Sequence, residues 1–309
     1  MVLYIFLNIF FLIVFIVIYF IHTFEDVLIK KIMKKILTFF LLLLLMIDFH
    51  LNAQSLKVIT YNLRYDNASD GENAWKMRKD KVAELFNFYD ADVFGVQEGL
   101  IGQLIYLDSC LPKYQHIGIG RDDGKTQGEF SAIFYIKERF ELIKTSSFWL
   151  SETPDTVSRG WDAVCNRICT YALLKDKKNN LKFWVFNTHF DHIGEIAQKN
   201  SAKLIIKKIA ELNKENLPVI LLGDFNMTPD KEPIKYISKI LKDTKHIYKG
   251  NFTEDEGTFN AFDFTKPVTS RIDYIFVDGF KVDKYRILTD SYRCKYLSDH
   301  LPVYVELKK

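Results

Sequence analysis

The sequence predicts an α/β fold in which two packed β-sheets are flanked by helices. Three observations support this prediction. Short segments rich in β-branched and aromatic residues recur after residue 55, segments with helical periodicity lie between them, and no repeat or low-complexity linker interrupts the series. Because the predicted strands outnumber the helices and are joined by long polar loops, two packed sheets are favoured over a single open parallel sheet.

The predicted strands are short apolar runs bounded by polar or turn-forming residues. Several of them are apolar at nearly every position, which is typical of strands buried on both faces. One example is the run Pro218-Val219-Ile220-Leu221-Leu222. Eight such strands are predicted, at residues 56–61, 93–97, 132–136, 168–174, 183–188, 218–222, 272–277 and 302–307.

Three helices are predicted between these strands, at residues 75–89, 195–213 and 233–241. In the first two, apolar residues recur three and four positions apart, which gives each helix one apolar face. Such a face has to pack against another element, and the predicted sheets provide it. The uninterrupted series of elements from residue 55 to residue 309 predicts one domain.

Residues 1–54 differ in composition from the rest of the chain. Residues 2–21 are almost wholly apolar, and residues 36–47 form a second apolar run. Read from Met33, two lysines, this second run and a polar end form the three-part pattern of a signal peptide over 33–54. If Met1 is the start, residues 2–21 are long enough to cross a bilayer and predict a membrane anchor. Both alternatives predict a domain that is exported, to the periplasm or outside the cell, or tethered to a membrane.

Charge and cysteine content argue against a protein that coats nucleic acid and against a zinc protein. Residues 1–54 contain four of the 42 basic and three of the 39 acidic residues, so the remaining domain has a net charge of +2. So small a charge is not the signature of a protein that coats nucleic acid. The four cysteines, which have no CxxC spacing, argue against a zinc site and leave disulfides or free thiols as alternatives: Cys110, Cys165, Cys169 and Cys294.

Polar residues of the kinds that bind metals or move protons follow or begin six of the predicted strands. Asp224 and Asn226 are an example: residues two apart on a strand face the same way, so their side chains are predicted to point together. One such strand end has an ordinary structural explanation, but six in one chain point to a site. The residues concerned are Asn62, Arg64, Gln97, Glu98, His189, Asp191, Asp224, Asn226, Asp273, Asp299 and His300.

These residue types suit the hydrolysis of a phosphate ester with help from a hard cation. Carboxylate and amide oxygens without cysteine favour Mg²⁺, or Mn²⁺, over zinc. The reaction also needs a group that activates water and groups that stabilise developing charge. Glu98 is suited to bind the metal, and Asp224 is suited to activate the water. His189 and His300 are suited to stabilise the developing charge. Asp273 is a suitable partner to orient and charge His300.

Six sequence motifs together resemble the endonuclease/exonuclease/phosphatase superfamily in order and spacing, across residues 56–307. This superfamily includes DNase I-like nucleases, sphingomyelinases, inositol polyphosphate 5-phosphatases and deadenylases. The resemblance implies a four-layer α/β sandwich, DNase I-like, with two mixed β-sheets face to face, helices outside, and the active site at one end of the sheets. The motifs are Thr60-Tyr61-Asn62-Leu63-Arg64, Gln97-Glu98, Asn187-Thr188-His189-Phe190-Asp191-His192, Gly223-Asp224-Phe225-Asn226, Arg271-Ile272-Asp273-Tyr274-Ile275 and Ser298-Asp299-His300-Leu301-Pro302.

The resemblance also implies which residues handle the metal and the attacking water. Glu98 corresponds to the principal Mg²⁺ ligand, with Asn62 beside it and Asp299 as a second ligand. Asp224 resembles the residue that aligns or deprotonates the water. Asn226 resembles a residue that helps to hold the metal or the phosphate.

The two histidines have implied roles at the phosphate. His300, paired with Asp273, resembles the histidine that contacts the scissile phosphate. His189 resembles the one that stabilises the transition state or protonates the leaving group. His192 matches the same motif, but its side chain alternates away from His189, so a structural hydrogen bond is predicted for it.

Further segments, at residues 148–154, 160–162 and 257–260, resemble bacterial secreted members related to the deadenylase-like branch. That similarity implies substrate contacts for Arg167 and Asp191, and Arg64 is a third candidate for substrate binding. Two tryptophans in these segments, Trp149 and Trp161, are either close to the substrate or loop anchors packed on the core.

The sequence therefore predicts an exported or membrane-tethered, Mg²⁺-dependent phosphoesterase that acts as a monomer on a phosphorylated substrate without a protein partner. The substrate class stays open between nucleic acid, lipid, inositol phosphate and sugar phosphate. A sphingomyelinase-like lipid phosphoesterase and a 3′-5′ exoribonuclease are alternatives among enzymes. A non-catalytic binding module is the alternative outside them, and the full set of site residues argues against it.

Overall fold

The computed structural model describes residues 55–250 and 257–309, together with residues 15, 19, 31, 32 and 34–39. The chain separates into two units, Met1–Gln54 and Ser55–Lys309. In the first unit the described positions are helical. Within the described residues, no helix combines the length and the apolar character needed to cross a membrane. The predicted signal peptide, 33–54, and the alternative anchor, 2–21, lie mostly outside the described residues and stay predictions.

The second unit alternates strands and helices. A short 3-10 helix, Ala68–Asn73, precedes the first long helix. The helices of this unit, within its described residues, are α1 Trp75–Tyr89, α2 Ile101–Cys110, α3 Glu195–Leu212, α4 Glu232–Ser238 and α5 Thr244–Ile247. The strands, within the same residues, are β1 Leu56–Asn62, β2 Val93–Gly99, β3 Tyr114–Ile117, β4 Phe130–Ile136, β5 Phe140–Trp149, β6 Ile168–Asp176, β7 Lys182–His189, β8 Val219–Asp224, β9 Lys242–Asp243, β10 Asp273–Asp278, β11 Lys281–Ile287, β12 Ser291–Tyr292, β13 Lys295–Tyr296 and β14 Val303–Lys308.

In the described part of the chain these strands form two six-stranded sheets and a small hairpin, β12–β13. The first sheet has the order β11-β14-β1-β2-β4-β3 and the second β5-β6-β7-β8-β10-β9. One pair in each sheet is parallel, β1 with β2 and β7 with β8. The neighbouring pairs are antiparallel, so both sheets are mixed.

Side chains on alternate positions of the central strands build separate core layers. Val58 of β1 and Ile220 of β8 belong to a buried cluster between the two sheets. The next residue along each strand points to the opposite face: Ile59 packs with residues of α1 and α2, and Leu221 packs with residues of α3 and α4. The result is a four-layer α/β sandwich with helices outside two facing sheets, which confirms the predicted fold class.

All eight predicted strands are present, with ends within two residues of the prediction, and so are the three predicted helices. The third helix ends earlier than expected, at Ser238 instead of residue 241, because Leu241 is buried and leads directly into β9. The strands that were not predicted include the four sheet edges, β3, β5, β9 and β11. Edge strands such as β5 and β11 expose many polar side chains and therefore lack the apolar pattern used to find the others.

A polar layer separates the core between the sheets from one end of the sandwich. Gln97 donates hydrogen bonds to the Asn187 Oδ1 atom at 2.6 Å and to the Thr60 Oγ1 atom at 3.0 Å, and all three residues are buried. These bonds join the two sheets where the apolar rows stop. Beyond this layer, the same rows continue into Asn62, His189 and other polar residues.

All four cysteines are free thiols in the structure. Cys169 is buried, Cys110 and Cys165 are partly buried, and Cys294 is exposed.

Candidate active site

The residues that follow or begin the central strands meet at one end of the sandwich. Asn62 is paired with Gln97 across the parallel strands β1 and β2, and His189 is paired with Asp224 across β7 and β8. Asp273 opens β10, which is antiparallel to β8, and is also paired with Asp224. Parallel strands that end together and an antiparallel strand that begins there bring these side chains to the same edge.

Asp224 is the centre of this group. Its Oδ2 atom accepts a hydrogen bond from Asn62 Nδ2 at 2.9 Å, and its Oδ1 atom accepts one from the Asn226 backbone N–H at 2.8 Å. The same Oδ2 atom lies 3.5 Å from His189 Nε2 and 3.7 Å from His300 Nε2. Burial and the neighbouring charge of Asp273 raise the pKa of the Asp224 carboxyl to about 7.

His189 is oriented by Asn226, whose backbone is in the left-handed region at φ 53°. The Asn226 Nδ2 atom donates to the Phe190 carbonyl at 3.0 Å, which fixes the amide, and it also lies 3.0 Å from His189 Nε2. That ring nitrogen is therefore assigned as the acceptor. Burial and the positive charges of Arg167 and Arg121 lower the pKa of His189 well below its usual value, so the ring is neutral.

His300 has the opposite charge state. Its Nδ1 atom lies 2.8 Å from Asp273 Oδ2, and both residues are buried. Burial would lower the pKa of the imidazole, but the charges of Asp273 and Asp224 raise it well above its usual value. The site therefore contains one cationic and one neutral imidazole, each within 4 Å of Asp224.

Glu98 and Asn62 form the part of the site that suits a metal ion. Asn62 Nδ2 donates to Glu98 Oε1 at 3.0 Å. Within the described residues, two groups have ligand atoms within 4.8 Å of one another: one is Glu98, His189 and Asp224, and the other is Asp224, Asp273 and His300. Since Glu98 is only partly buried and its neighbours offer carboxylate and amide oxygens, the residues fit a hard divalent cation.

Asp299 and Arg64 lie beside this group without joining either of the two sets. Arg64 forms a bidentate pair with Asp70, at 2.9 Å for both bonds, and its Nη1 atom is 3.9 Å from Asp299 Oδ2. The ion pair with Asp70 occupies the face of the guanidinium that carries Nε and Nη2. Metal binding by Asp299 and substrate binding by Arg64 stay predictions.

Arg167 and Asp191 lie next to each other beyond His189. The Arg167 Nε atom is 3.5 Å from Asp191 Oδ2, and its Nη2 atom donates to His192 Nδ1 at 3.0 Å. Asp191 also accepts hydrogen bonds from the Ile193 and Gly194 backbone N–H groups before α3. His192 thus makes the hydrogen bond predicted for it, and substrate contacts of Arg167 and Asp191 stay predictions.

Glu129 and Arg121 were missed by the sequence analysis. The Glu129 Oε2 atom lies 3.7 Å from His189 Nδ1, and Arg121 holds the same carboxylate with two bonds of 2.7 and 2.8 Å. Glu129 precedes β4, which is antiparallel to β2 and therefore begins at the edge where β2 ends. The sequence analysis placed the start of this strand at residue 132, whereas β4 begins at Phe130, so Glu129 was not recognised as a residue next to a strand.

Trp149 is a loop anchor, one of the two alternatives considered for it. Its side chain is 6% exposed, and its Nε1 atom donates to the Arg121 carbonyl at 2.8 Å. Trp161 is partly exposed, with a left-handed backbone at φ 49° and its N–H bonded to Glu152. The first tryptophan therefore supports the loop that carries Arg121.

Comparison with solved structures finds close relatives among Bacteroides proteins. A mannosyl-6-phosphatase from Bacteroides thetaiotaomicron is 42% identical, with a TM-score of 0.80, over 82% of this chain and 100% of that chain. An endonuclease/exonuclease/phosphatase family protein from the same species is 42% identical, with a TM-score of 0.79, over 82% of this chain and 97% of that chain. The human Nocturnin catalytic domain, at 19% identity and a TM-score of 0.67 over 82% of this chain and 93% of that chain, shares the fold.

Sequence comparison agrees with the structural one. An uncharacterized protein of Acanthamoeba polyphaga mimivirus is 30% identical over 262 residues, which are 75% of this chain and 91% of the viral protein. The model of the Endonuclease/Exonuclease/phosphatase family matches residues 59–300, which include all the site residues described above. With its fold, its cluster of buried acids and histidines and this match, the chain belongs to the endonuclease/exonuclease/phosphatase family of phosphoesterases.

Proposed function

We propose that this protein is a Mg²⁺-dependent phosphatase that hydrolyses phosphate monoesters of sugars. The observation that carries the proposal is the environment of Asp224. Its carboxylate lies within 4 Å of a cationic and a neutral histidine and accepts a hydrogen bond from Asn62, which also holds Glu98. Such a carboxylate is suited to bind a water molecule between a metal and a phosphate.

Glu98 and Asn62 would hold the metal in this proposal, with Asp299 as a further ligand. When bound, Mg²⁺ or Mn²⁺ would neutralise negative charge on the phosphoryl oxygens. The Glu98 carboxylate is kept in place by Asn62 Nδ2 on one oxygen and by the Tyr65 backbone N–H on the other. Both oxygens retain free lone pairs, so these bonds are compatible with a metal ligand.

The other residues of the site orient the water and stabilise charge. Asp224 orients the attacking water through Oδ2 and accepts its proton. His300, held by Asp273, donates from Nε2 to a phosphoryl oxygen, where negative charge increases during the attack. His189 donates to the leaving oxygen from Nδ1–H, because its Nε2 atom is the acceptor of the Asn226 amide, and the leaving oxygen takes its proton from water. The proximity of both imidazoles to the same Asp224 oxygen, 3.5 Å for His189 and 3.7 Å for His300, supports this division of roles.

Two observations support a sugar phosphate over the other substrate classes. The mannosyl-6-phosphatase from Bacteroides thetaiotaomicron is 42% identical and is covered over its whole length. The net charge of the chain, +3, is too small for a strong electrostatic attraction to long nucleic acids. The exoribonuclease alternative rests on the deadenylase-like segments, and the likeness to Nocturnin, at 19% identity, concerns the fold alone.

A substrate panel tests the proposal. Purified protein is incubated with Mg²⁺ or Mn²⁺ and with hexose 6-phosphates, a phosphodiester, sphingomyelin or an oligonucleotide, and product release is measured beside an Asp224→Asn control. We expect the highest kcat/KM on a hexose 6-phosphate and loss of that activity in the control. A higher kcat/KM on the oligonucleotide or on sphingomyelin would overturn the proposed substrate class. If none of the compounds is turned over, the proposal that the protein is a phosphatase is overturned.

We also propose that the protein is exported or membrane-tethered and acts as a monomer. The apolar runs 2–21 and 36–47 support the first part of this proposal. Cell fractionation of the full chain and of a variant lacking residues 1–32 tests it, because the signal-peptide alternative predicts that export persists in the variant. Light scattering of the purified protein tests whether it is a monomer.

A further inference from the structure

The loop at residues 63–66 gives backbone hydrogen bonds to both residues proposed to bind the metal. The Arg64 N–H donates to Asn62 Oδ1 at 2.9 Å, and the Tyr65 N–H donates to Glu98 Oε2 at 3.1 Å. Arg64 has a left-handed backbone, φ 56°, which is unfavourable for an arginine. The loop therefore needs support from outside to keep this conformation.

Arg78 of α1 supplies that support. Its side chain is buried, and its guanidinium donates to the Leu63 carbonyl at 2.5 Å and to the Arg64 carbonyl at 2.7 Å. A third bond, of 3.1 Å, goes to the carbonyl of Leu297, which directly precedes the Ser298-Asp299-His300 motif. One side chain thus ties the first and the last motif of the site to the same helix.

These acceptors distinguish Arg78 from the other deeply buried arginines. Arg139, Arg167 and Arg271 are paired with carboxylates of Asp176, Asp191 and Asp243. The hydrogen bonds of Arg78 instead go to main-chain oxygens, including Asn73 O at 2.9 Å. Burial of a cation is costly unless its N–H groups are used. The guanidinium of arginine donates from three nitrogens to carbonyls that lie apart, whereas the three N–H groups of a lysine are all on one nitrogen.

Gln103 of α2 holds the same loop from the other side. Its Nε2 atom donates to the Arg64 carbonyl at 3.0 Å, and its Oε1 atom accepts the Asp66 N–H at 2.9 Å. Gln103 is 1% exposed. The Arg64 carbonyl therefore receives two donors from two helices, and the loop is fixed on both sides of the residue that donates to Asn62.

We propose that Arg78 is a positioning residue of the metal site: it fixes the loop at 63–66 so that Asn62 and Glu98 present their oxygens to a divalent cation. The proposal rests on the proposed metal-dependent function. Residues that orient metal ligands typically change metal affinity or activity by about 10–100-fold when they are replaced. The Arg78→Lys variant keeps the charge but removes the fork, so its affinity for a divalent cation is expected to fall by about this factor.

Titration of the full chain with Mn²⁺, followed by calorimetry and by the electron spin resonance of free Mn²⁺, tests the proposal. Arg139→Lys is the matched control, because Arg139 is equally buried but is bonded to Asp176 at the opposite end of the sheets from Glu98. Both variants are expected to lower Tm. Only Arg78→Lys is expected to raise the Kd for Mn²⁺, and its kcat at saturating Mn²⁺ is expected to recover while KM for the phosphate substrate is unchanged.

A folded Arg78→Lys variant with the wild-type Kd, or an equal loss of affinity in Arg139→Lys, would overturn the positioning role. If Arg78→Lys does not fold, Gln103→Met removes one of the two donors to the same Arg64 carbonyl and should also raise the Kd. An unchanged Kd in that variant would overturn the proposal as well. Wild-type protein that binds no Mn²⁺ would instead overturn the proposed function, so the two failures are distinguishable.

Discussion

His300 and Asp273 form a buried pair in which the imidazole Nδ1 atom lies 2.8 Å from the carboxylate Oδ2 atom. The bond directs the other ring nitrogen, Nε2, toward Asp224 at 3.7 Å. One carboxylate thus orients the ring, and the other faces the nitrogen that is free to act on a substrate. The charge and the orientation of His300 both depend on Asp273.

Replacement of Asp273 by asparagine is expected to reduce kcat by about 10²–10³-fold, the usual effect of losing one donor to developing negative charge. The amide removes the negative charge that keeps His300 cationic and no longer selects one orientation of the ring. The measurement is steady-state turnover of the preferred substrate at saturating Mg²⁺, with circular dichroism to establish the fold. A kcat within error of the wild type would contradict the role given to the pair.

Asp224→Asn is expected to abolish turnover and also to change the pH dependence of stability in metal-free buffer. The folded pKa of Asp224 is raised from 3.8 to about 7, so its contribution to stability is fully present below pH 3.8 and is lost as the pH rises toward 7. Asparagine does not titrate. The Tm of the variant minus that of the wild type should therefore increase between pH 4 and pH 7. A difference that stays constant across this range would show that the carboxyl is not perturbed.

Removal of divalent cations is expected to abolish hydrolysis, and added Mg²⁺ is expected to restore it. Because a cation that binds only the folded state stabilises it by mass action, Mg²⁺ should also raise the Tm of the wild type. Glu98→Gln keeps the shape of the side chain but lacks the charge, so in this variant the recovery of hydrolysis and the increase in Tm should both require more Mg²⁺. Differential scanning fluorimetry and a phosphate-release assay over a Mg²⁺ series measure them. Full activity in excess EDTA would exclude a metal-dependent reaction.

The central strands were predictable because their residues are buried on both faces. Ile220, Leu221 and Leu222 of β8 are each fully buried, and a run of this kind is visible in the sequence without any partner. Edge strands are different, since half of their hydrogen bonds are missing and their side chains are mostly solvated. In β5 the residues from 144 to 146 are exposed, so the sequence there resembles a loop.

The candidate site was predictable where a catalytic residue type follows a buried strand, as for Asp224 and His189. Glu129 was missed because the predicted strand starts at residue 132, whereas β4 starts at Phe130, directly after Glu129. Arg78 offered no signal at all, since its partners are carbonyl oxygens of Leu63, Arg64 and Leu297, and any residue type has a carbonyl. Contacts of this kind depend on the tertiary structure and leave no pattern of side chains.

Gly95→Ala is expected to lower the free energy of unfolding by about 1–3 kcal/mol, the usual cost of an added methyl group in a packed core. Gly95 lies in β2 where the sheets approach closely, and a Cβ atom there would be 2.1 Å from Leu222 Cδ1 and 2.8 Å from Asn187 Cγ. Gly102→Ala is the control, because a Cβ atom at this position of α2 meets nothing within 4 Å. Urea unfolding of the two variants measures the difference, and equal effects would contradict the close approach of the sheets.

Asp191 is expected to make stability depend on pH in the acidic range. Its buried carboxylate accepts backbone N–H groups of Val164, Ile193 and Gly194 and faces Arg167 at 3.5 Å. Burial alone would raise the pKa of this carboxyl, but the hydrogen bonds and the charge of Arg167 lower it below the ordinary 3.8. The stabilisation is therefore fully present above pH 3.8 and is lost as the pH falls through the folded pKa.

The Asp191→Asn variant has no such dependence, because the amide stays neutral at every pH. At pH 7 it should be less stable than the wild type by about 1.5–3 kcal/mol, the contribution of hydrogen bonds to a charged group. The difference should shrink as the pH falls below 3.8, since the wild type then loses its charge as well. Asp155→Asn is the control: its carboxylate is 86% exposed and 3.7 Å from Lys208, and such surface pairs contribute little. Urea unfolding between pH 3 and pH 7 measures the free energy of unfolding of both variants. If the difference between Asp191→Asn and the wild type stays constant with pH, the donors around Asp191 do not favour its charged form.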